Sequence, residues 1–349
     1  MKVLCDFHHS DLWWSMYLLF VERLGWDLYR PYGMDWYDLG YHRLYGALEE
    51  EDPYRFISYM YLEDKVTRYR GNIGVCDATY CGCRDYPLFN LITLEEFSDS
   101  KFDFVVTTAH DNELPFYKLI KDRNSSAKLI RQSGNYLDVV DYNICKNVLD
   151  STGMLSNIPD DINYLKYHQE FYLDIFKYVP PTNFNVITSV LNFLRQWDTD
   201  GENYGEIWDS IKNGISECKW IMHGFKCDNG HIWSKRNYVT AIQNSSFIYH
   251  IKPFDGYGHC SYNSLALGRP LIVKNNYKVG PDLDSMLKDG DTVIKIDTKD
   301  ICGSIQKIKK YISKEEVLRM SENAYNVFCN TVNFDNEFEQ IKLFLNRCK

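Results

Sequence analysis

A glycine-rich segment in the second half of the chain has residue types and a spacing suited to binding a phosphate. Asp255 is followed by a Gly-Tyr-Gly loop, and a helical pattern begins directly afterwards. The amides of such a loop and the positive end of a helix can together face an anion. Asp255 can accept hydrogen bonds from hydroxyl groups, and Asn263, in the first turns of the helix, can reach a second hydroxyl. The segment predicts a ligand that carries both phosphate and hydroxyl groups.

The same stretch resembles the C-terminal nucleotide-sugar domain of GT-B glycosyltransferases, especially the retaining, GT4-like group. That family's pattern is an acid, Gly-aromatic-Gly, a second acid eight residues after the first, then small apolar residues, Gly, any residue, Pro and a β-branched run. Residues 255–272 read D-G-Y-G-x4-N-S-L-A-L-G-R-P-L-I, with Asn263 in place of the second acid. The likeness continues into residues 287–294 and 318–324.

The resemblance implies a metal-independent hexosyltransferase that moves a sugar from a nucleotide-sugar donor, UDP-glucose or a similar UDP-hexose, to an acceptor hydroxyl with retention. It implies no permanently bound cofactor, because helix N-termini and basic side chains stabilise the leaving diphosphate. A glycan or glycoconjugate is the first acceptor to expect. The donor-binding residues that the resemblance implies are Gly256, Tyr257, Gly258, His259, Cys260, Asn263, His223 and Gly224.

Positive charge is required near the leaving diphosphate, and two basic residues are candidates. Lys252 lies three residues before Asp255, and Arg195 follows the first predicted strand of the second half. We assign both, with Asp255, to the catalytic set, although a solvated surface arginine explains Arg195 equally well. His259 either donates to a phosphate or caps the helix. Gly224 either allows a close backbone approach or ends its strand in a turn.

Polar side chains in the first half follow predicted strands, at the edge where ligands enter open α/β sheets. His9 and His110 are candidate catalytic bases for the acceptor, with buried histidines satisfied by backbone hydrogen bonds as the alternative. Trp13 and Trp14 lie on the first predicted helix and are expected to pack in the core. The candidate acceptor-side residues are His8, Ser10, Asp11 and Asn135.

Strands alternate with helices along the chain, which predicts an α/β protein whose parallel sheets are covered on both faces. Strands are predicted at residues 2–7, 26–29, 102–108, 127–131, 142–149, 185–191, 219–223, 246–250 and 270–274. Helices are predicted at 12–24, 114–122, 204–215, 237–243, 260–267, 314–328 and 336–345.

The alternation is interrupted at Tyr178-Val179-Pro180-Pro181, because paired prolines disfavour both helix and central strand. Two successive βαβ halves predict the GT-B architecture, two Rossmann-like domains facing across a cleft. The expected domains are residues 1–179 on the acceptor side, residues 180–330 for the nucleotide sugar, and residues 331–349 as a C-terminal helix returning to the first domain.

Composition narrows the class of protein. The chain has 349 residues, 45% of them hydrophobic, and a net charge of −9, which excludes a disordered protein and argues against an extended nucleic-acid-binding face. No membrane span or secretion signal is evident and the 11 cysteines suit reduced thiols, so a cytoplasmic protein of a bacterial or phage-infected cell is expected. Cys76, Cys81 and Cys83 lack zinc-site spacing, and no metal is predicted.

Three alternatives remain open. A basic groove in the first domain would favour a phage-type glucosyltransferase acting on hydroxymethylated DNA bases, whereas a solvated helix face explains the same charges. A metal-dependent GT-A enzyme would use the D-x-D triplet at residues 198–200, which a turn explains as well. A noncatalytic nucleotide- or sugar-binding protein of the same fold is compatible with Asn263. The candidate groove residues are Lys118, Lys121, Arg123, Lys128 and Arg131.

Overall fold

The structure is a computed structural model that describes residues 1–5, 10–31, 90–107, 114–134, 140–199, 201–232, 235–253 and 258–348. The described residues divide into two compact units. Residues up to 171, together with those from 334 onward, form the first unit, and residues 172–333 form the second.

The first unit is built on a seven-stranded parallel sheet with the order β3-β2-β1-β4-β5-β6-β7. The strands are β1 (Lys2–Cys5), β2 (Asp27–Pro31), β3 (Asn90–Ile92), β4 (Phe104–Thr107), β5 (Lys128–Ser133), β6 (Asn147–Asp150) and β7 (Asn163–Lys166). The helices α1 (Ser10–Tyr17), α2 (Leu94–Asp99) and α3 (Leu114–Arg123) connect them, and α1 continues as a π-helical turn over Leu18–Arg23.

The core of this unit explains its continuous apolar strands. β4 is buried along its whole length, as expected for a strand covered on both faces. Phe97 of α2 and Phe102 are fully buried and their rings lie 4.9 Å apart. The first helical segment ends before Gly25, in agreement with the helix predicted at residues 12–24. Gly25 has a φ of +67°, which favours glycine. The strands β3 and β7 and helix α2 were not predicted.

The second unit has a five-stranded parallel sheet with the order β11-β8-β12-β13-β14 and a two-stranded antiparallel hairpin, β9-β10. The strands are β8 (Val186–Val190), β9 (Asp198–Thr199), β10 (Glu202–Asn203), β11 (Lys219–His223), β12 (Phe247–Tyr249), β13 (Leu271–Lys274) and β14 (Val293–Ile296). The helices are α4 (Tyr204–Gly214), α5 (Lys235–Gln243), α6 (His259–Ala266), α7 (Pro281–Met286), α8 (Ile301–Lys309) and α9 (Lys314–Thr331).

Aromatic packing fixes the centre of the second unit. Trp208 of α4 packs edge-on against Trp220 of β11 and Tyr249 of β12, with ring centroids 5.0 and 4.9 Å apart. The sheet changes winding direction between β8 and β12, which pair in parallel with Ile187 opposite Phe247. Ligands of open α/β sheets bind at this switch point, beyond the carboxyl ends of the strands. The segment between β12 and α6 starts from that edge.

The segment before the paired prolines belongs to the second unit. Tyr178 stacks on Tyr325 with ring centroids 4.4 Å apart, and a Cβ at Gly268 would collide with the Tyr178 ring. Arg269 is fully buried and donates hydrogen bonds to the carbonyls of Val179 and Gln243. The change of unit therefore precedes the prolines, at residue 172. From the sequence, this boundary is expected at residue 180, because the paired prolines, which stiffen the chain locally, are the only indication of a boundary in the sequence.

The last helix, α10 (Phe334–Arg347), is part of the first unit. Asn163 of β7 donates a hydrogen bond to the Phe344 carbonyl at 3.0 Å. Arg23 forms ion pairs with Glu170 and with Asp335 at the start of α10. The His168 Nδ1 lies 2.8 Å from Glu337 Oε1. These contacts hold the end of the chain against β7 and the first helical segment.

Candidate functional site

Several residues predicted from the sequence lie outside the described part of the chain, and their roles remain predictions. Of Ser10 and Asp11, which begin α1, only the backbone is described. The residues outside are Asp255, Gly256, Tyr257, His8, His9, His110 and Asn135, together with Cys76, Cys81 and Cys83.

The N-terminus of α6 is the centre of the described site. Gly258 is its N-cap residue, with φ +57° and ψ +77°, and provides no capping side chain. The first helical turn closes on its carbonyl, which accepts a hydrogen bond from the Ser261 amide at 2.7 Å. His259 is half-buried at the first helical position. This helix end lies at the switch point of the sheet, so its partial positive charge is available to an anion there.

Gly258 is packed against a buried pair that sequence reasoning missed. His250 Nε2 lies 3.1 Å from the Tyr277 hydroxyl, and both side chains are buried. A Cβ on Gly258 would lie 2.6 Å from that hydroxyl and 3.2 Å from His250 Nε2. Burial, assisted by the nearby positive charge of Lys252, holds the pKa of His250 well below its usual range, so the imidazole is neutral. The His250–Tyr277 pair therefore leaves no room for a side chain at residue 258, and only glycine fits there.

Lys252 lies close to this pair, and its charge also acts on Cys260 of α6. Its ammonium is 5.6 Å from the centre of the Tyr277 ring, within range of a cation–π interaction. Cys260, in the first turn of α6, is buried, and burial raises the pKa of its thiol to about 11. The cysteine is therefore an uncharged packing residue at neutral pH, and Lys252 contributes a positive charge near α6.

Asn263 is buried on the side of α6 that faces α5. Its exposed fraction is 3%, and its Nδ2 lies 3.5 Å from the Tyr238 hydroxyl. The amide and the phenol together present hydrogen-bonding groups but no charge. Tyr238 could not be found from the sequence, because it lies on another helix.

Gly224 makes a close approach, but to the protein itself. Its φ is +148°, and a Cβ there would overlap the Leu191 carbonyl and lie 3.0 Å from the Asn192 Cα. The adjacent His223 Nδ1 lies 3.3 Å from the Gly230 carbonyl oxygen. The glycine thus allows the ends of β8 and β11 to pass each other.

Arg195 is engaged by two carboxylates. It forms ion pairs with Asp209 at 2.9 Å and with Asp228 at 2.5 Å, and these raise its pKa. A diphosphate would have to compete with both acids for the guanidinium. The geometry describes a residue that ties α4 to the loop after β11.

The candidate residues for a basic groove in the first unit include one that cannot belong to a surface. Arg131 is 1% exposed and lies within the sheet, so it cannot contribute to a surface. Lys118, Lys121 and Arg123 are exposed on α3, whereas Lys128 is half-buried with its ammonium 5.9 Å from the Phe104 ring centre. The five residues do not form one basic surface.

Metal-binding geometry is not found in the described part of the chain, where no three His, Cys, Asp or Glu side chains are grouped for an ion. The D-x-D triplet contributes Asp198 and Thr199 to the hairpin strand β9, and its third residue, Asp200, lies outside the described residues. Among the described helices, none combines the length and apolarity that a membrane crossing needs.

The sequence matches no family profile and no curated protein. Solved structures resemble it over its full length. A glycosyltransferase from Rickettsia africae ESF-5 is 11% identical with a TM-score of 0.61, covering 99% of this chain and 98% of its own. Anabaena Alr3699/HepE, solved with UDP, is 8% identical with a TM-score of 0.59, covering 99% of both chains.

Two further structures resemble the chain. An alpha-glucosyltransferase in complex with UDP and a 13-mer DNA is 9% identical with a TM-score of 0.57, covering 99% of both chains. TarM of S. aureus is 11% identical with a TM-score of 0.52; the match covers 70% of this chain and 55% of TarM, so the chain spans only about half of that protein. These matches, with two parallel-sheet units in one chain, show that the chain has the GT-B fold of glycosyltransferases rather than the GT-A fold.

Proposed function

We propose that the chain is a glycosyltransferase that moves a hexose from a UDP-sugar to an acceptor hydroxyl, without a metal ion and with retention of configuration. The observation that carries this proposal is Gly258 at the N-terminus of α6, beside Lys252 and at the switch point of the second sheet. A phosphate-bearing ligand suits this edge. The structures of HepE and the alpha-glucosyltransferase, both solved with UDP, support the choice of donor.

The reaction explains why this helix end matters. The acceptor hydroxyl oxygen forms a bond to the anomeric carbon on the face from which the diphosphate departs, while the bond from that carbon to the diphosphate oxygen breaks. The hydroxyl proton passes to the departing diphosphate oxygen. Negative charge then develops on the diphosphate, where the α6 amides and the Lys252 ammonium would stabilise it. Asp255, close before Gly258 in the chain, would accept hydrogen bonds from the sugar hydroxyls. The neutral His250–Tyr277 pair would support Gly258 from behind and contribute no charge.

The proposal is tested first by ligand binding. The melting temperature would be measured with UDP, GDP, ADP, CMP and their sugar conjugates, with and without EDTA, since a ligand selective for the folded state raises it. We expect UDP and one UDP-hexose to stabilise the protein equally well in EDTA. No stabilisation by any nucleotide would contradict the proposal, and stabilisation only with added metal would contradict its metal-independent form.

Turnover separates an enzyme from a binding protein. Release of UDP from the stabilising UDP-hexose would be measured with a panel of glycan acceptors and with hydroxymethylated DNA. We propose a glycan or glycoconjugate acceptor, because the net charge of −9 opposes DNA and Arg131 does not contribute to a basic groove. Sugar transfer to hydroxymethylated DNA would contradict the glycan acceptor and identify DNA as the acceptor instead. UDP binding without transfer or hydrolysis would indicate a noncatalytic protein.

A further inference from the structure

A second lysine approaches the N-terminus of α6 from a different helix. Lys235 is the first residue of α5, and its ammonium lies 5.0 Å from the centre of the Tyr238 ring and 5.8 Å from that of Phe176. Tyr238 in turn contacts Asn263 of α6. Lys252 lies against Tyr277 in the same manner. Each lysine is thus held over the ring of a tyrosine that contacts the first turns of α6 or Gly258.

Both cations lie close to the same point of that helix. The charges of Lys235 and Lys252 both act on the Cys260 thiol and favour its ionisation, although burial outweighs them. Cys260 is the second residue of α6, so the two ammonium groups lie near the helix end whose dipole is also positive. These three positive contributions together favour the binding of an anion at this helix end.

A buried hydroxyl at the same place indicates a ligand independently. Ser261, in the first turn of α6, is fully buried, and its Oγ has no hydrogen-bond partner among the described residues. That oxygen would lie 3.4 Å from a Cβ on Gly258, so the hydroxyl lies beside the N-cap residue of α6. A buried hydroxyl without a partner is costly, and a bound phosphate oxygen would accept its hydrogen bond.

We propose that Lys235 and Lys252 form the cation pair that binds the diphosphate of the nucleotide donor at the N-terminus of α6. This inference rests on the proposed function and adds to it a residue from α5. The pair takes the role for which the sequence also suggested Arg195, whose guanidinium already binds Asp209 and Asp228. Lys235 lies on α5, which follows β11. Its separation from the glycine loop in the sequence therefore gives no indication that it approaches α6.

The protonation of Lys235 on nucleotide binding can be measured, and it tests this inference directly. Burial lowers the pKa of Lys235 to about 7. The titratable groups described around it are Tyr238 on its own helix, Cys260 on α6 and, beyond the thiol, Lys252; Phe176 contributes an uncharged ring. A bound diphosphate raises the pKa again. Above pH 7, Lys235 in the protein without nucleotide is therefore largely neutral. Binding must then take up a proton, and UDP affinity falls as the pH rises.

The experiment is calorimetric titration of UDP and of uridine into the protein at pH 6.0, 7.5 and 8.5, in two buffers of different ionisation enthalpy. The phosphates of UDP are fully ionised at the two higher pH values, since the last phosphate pKa is about 6. We expect uptake of up to about one proton per UDP at pH 8.5 and little at pH 6.0. Uridine, which lacks phosphate, should bind without this uptake.

Three variants decide the outcome. Lys235→Ala should weaken UDP binding by about 10- to 100-fold at pH 6.0 and abolish the proton uptake. Lys235→Arg should retain much of the affinity yet lose the uptake, because arginine stays charged. The control Lys310→Ala, at an exposed position after α8, should behave as wild type.

The outcomes separate this inference from the proposed function. Unchanged UDP affinity and proton uptake in Lys235→Ala would overturn the inference alone, leaving a UDP-binding protein. Absence of UDP binding by the wild type at every pH would overturn both. Circular dichroism of Lys235→Ala checks that the fold is retained, and Lys235→Arg provides the same test with a side chain that keeps the packing.

Discussion

The Tyr277 hydroxyl, bound to His250 Nε2 at 3.1 Å, lies 2.6 Å from the position that a Cβ on residue 258 would take, which is too close for a side chain there. The two residues are 19 positions apart in the chain, and α6 and β13 lie between them. Gly258 is therefore required for two reasons: its backbone is in the left-handed region, and a buried phenol occupies the adjacent space.

Gly258→Ala should destabilise the protein by more than a matched glycine replacement elsewhere. The left-handed backbone costs about 1–2 kcal/mol for a residue with a side chain, and the contact with Tyr277 adds to this. Gly25→Ala is the control, because Gly25 has a similar φ of +67° and no atom within 4 Å of the added carbon. Urea unfolding would measure both. Equal losses would show that the Tyr277 contact is unimportant, and unchanged UDP affinity in Gly258→Ala would argue against a phosphate at this loop.

Acid should destabilise the second unit through His231. Burial, with the nearby His223, lowers its pKa to about 4, and its ring stacks on Phe225 at 4.2 Å. The unfolded chain takes up a proton near pH 6.5, well before the folded chain does, so stability falls as the pH drops from about 6.5 to 4. His231→Phe keeps a stacked ring and removes this contribution.

The free energy of urea unfolding at pH 7.0, 5.5 and 4.5 would test this. The loss between pH 7.0 and 4.5 should be smaller in His231→Phe than in wild type, whereas carboxylates affect both proteins alike. An identical pH dependence in the two proteins would exclude His231 as a source of acid sensitivity.

Arg195→Ala should reduce stability more than nucleotide binding. Its guanidinium joins Asp209 to Asp228 in a partly exposed position, so a loss of about 1 kcal/mol is expected. Arg319→Ala is a matched control, because Arg319 also binds two acids, Glu316 and Asp291, at the surface of the same unit. UDP affinity should change little in either variant. A tenfold or larger loss of affinity in Arg195→Ala alone would return this arginine to the diphosphate site.

Asp255→Ala should reduce sugar transfer by more than it weakens UDP binding. The carboxylate is expected to contact the sugar, whereas UDP alone lacks that group. Steady-state transfer rates and the dissociation constant for UDP would be compared in the variant and the wild type. Turnover at the wild-type rate would contradict the assignment of Asp255.

The candidate site was predictable where its chemistry is local in the chain. The glycine loop, the helix that starts after it and the turn at Gly268 follow one another within residues 255–270, and the structure has α6 at His259–Ala266 and a φ of +64° at Gly268. The alternation of buried strands and helices likewise predicted two α/β halves. Strand β7 was missed because it is short and its four residues are all half-buried, so its burial does not alternate.

The amino-acid sequence by itself determined the α/β class, the two halves and the position of the glycine loop, because periodicity, glycine and proline act over a few neighbouring residues. The tertiary structure alone decided that Arg195 binds Asp209 and Asp228, that Gly224 passes the Leu191 carbonyl, and that Tyr277 and Lys235 approach α6. Each of these depends on side chains brought together from separate strands and helices. The spacing of these residues in the chain does not predict such contacts. The order of strands in a sheet, rather than the order of residues in the chain, determines which side chains meet.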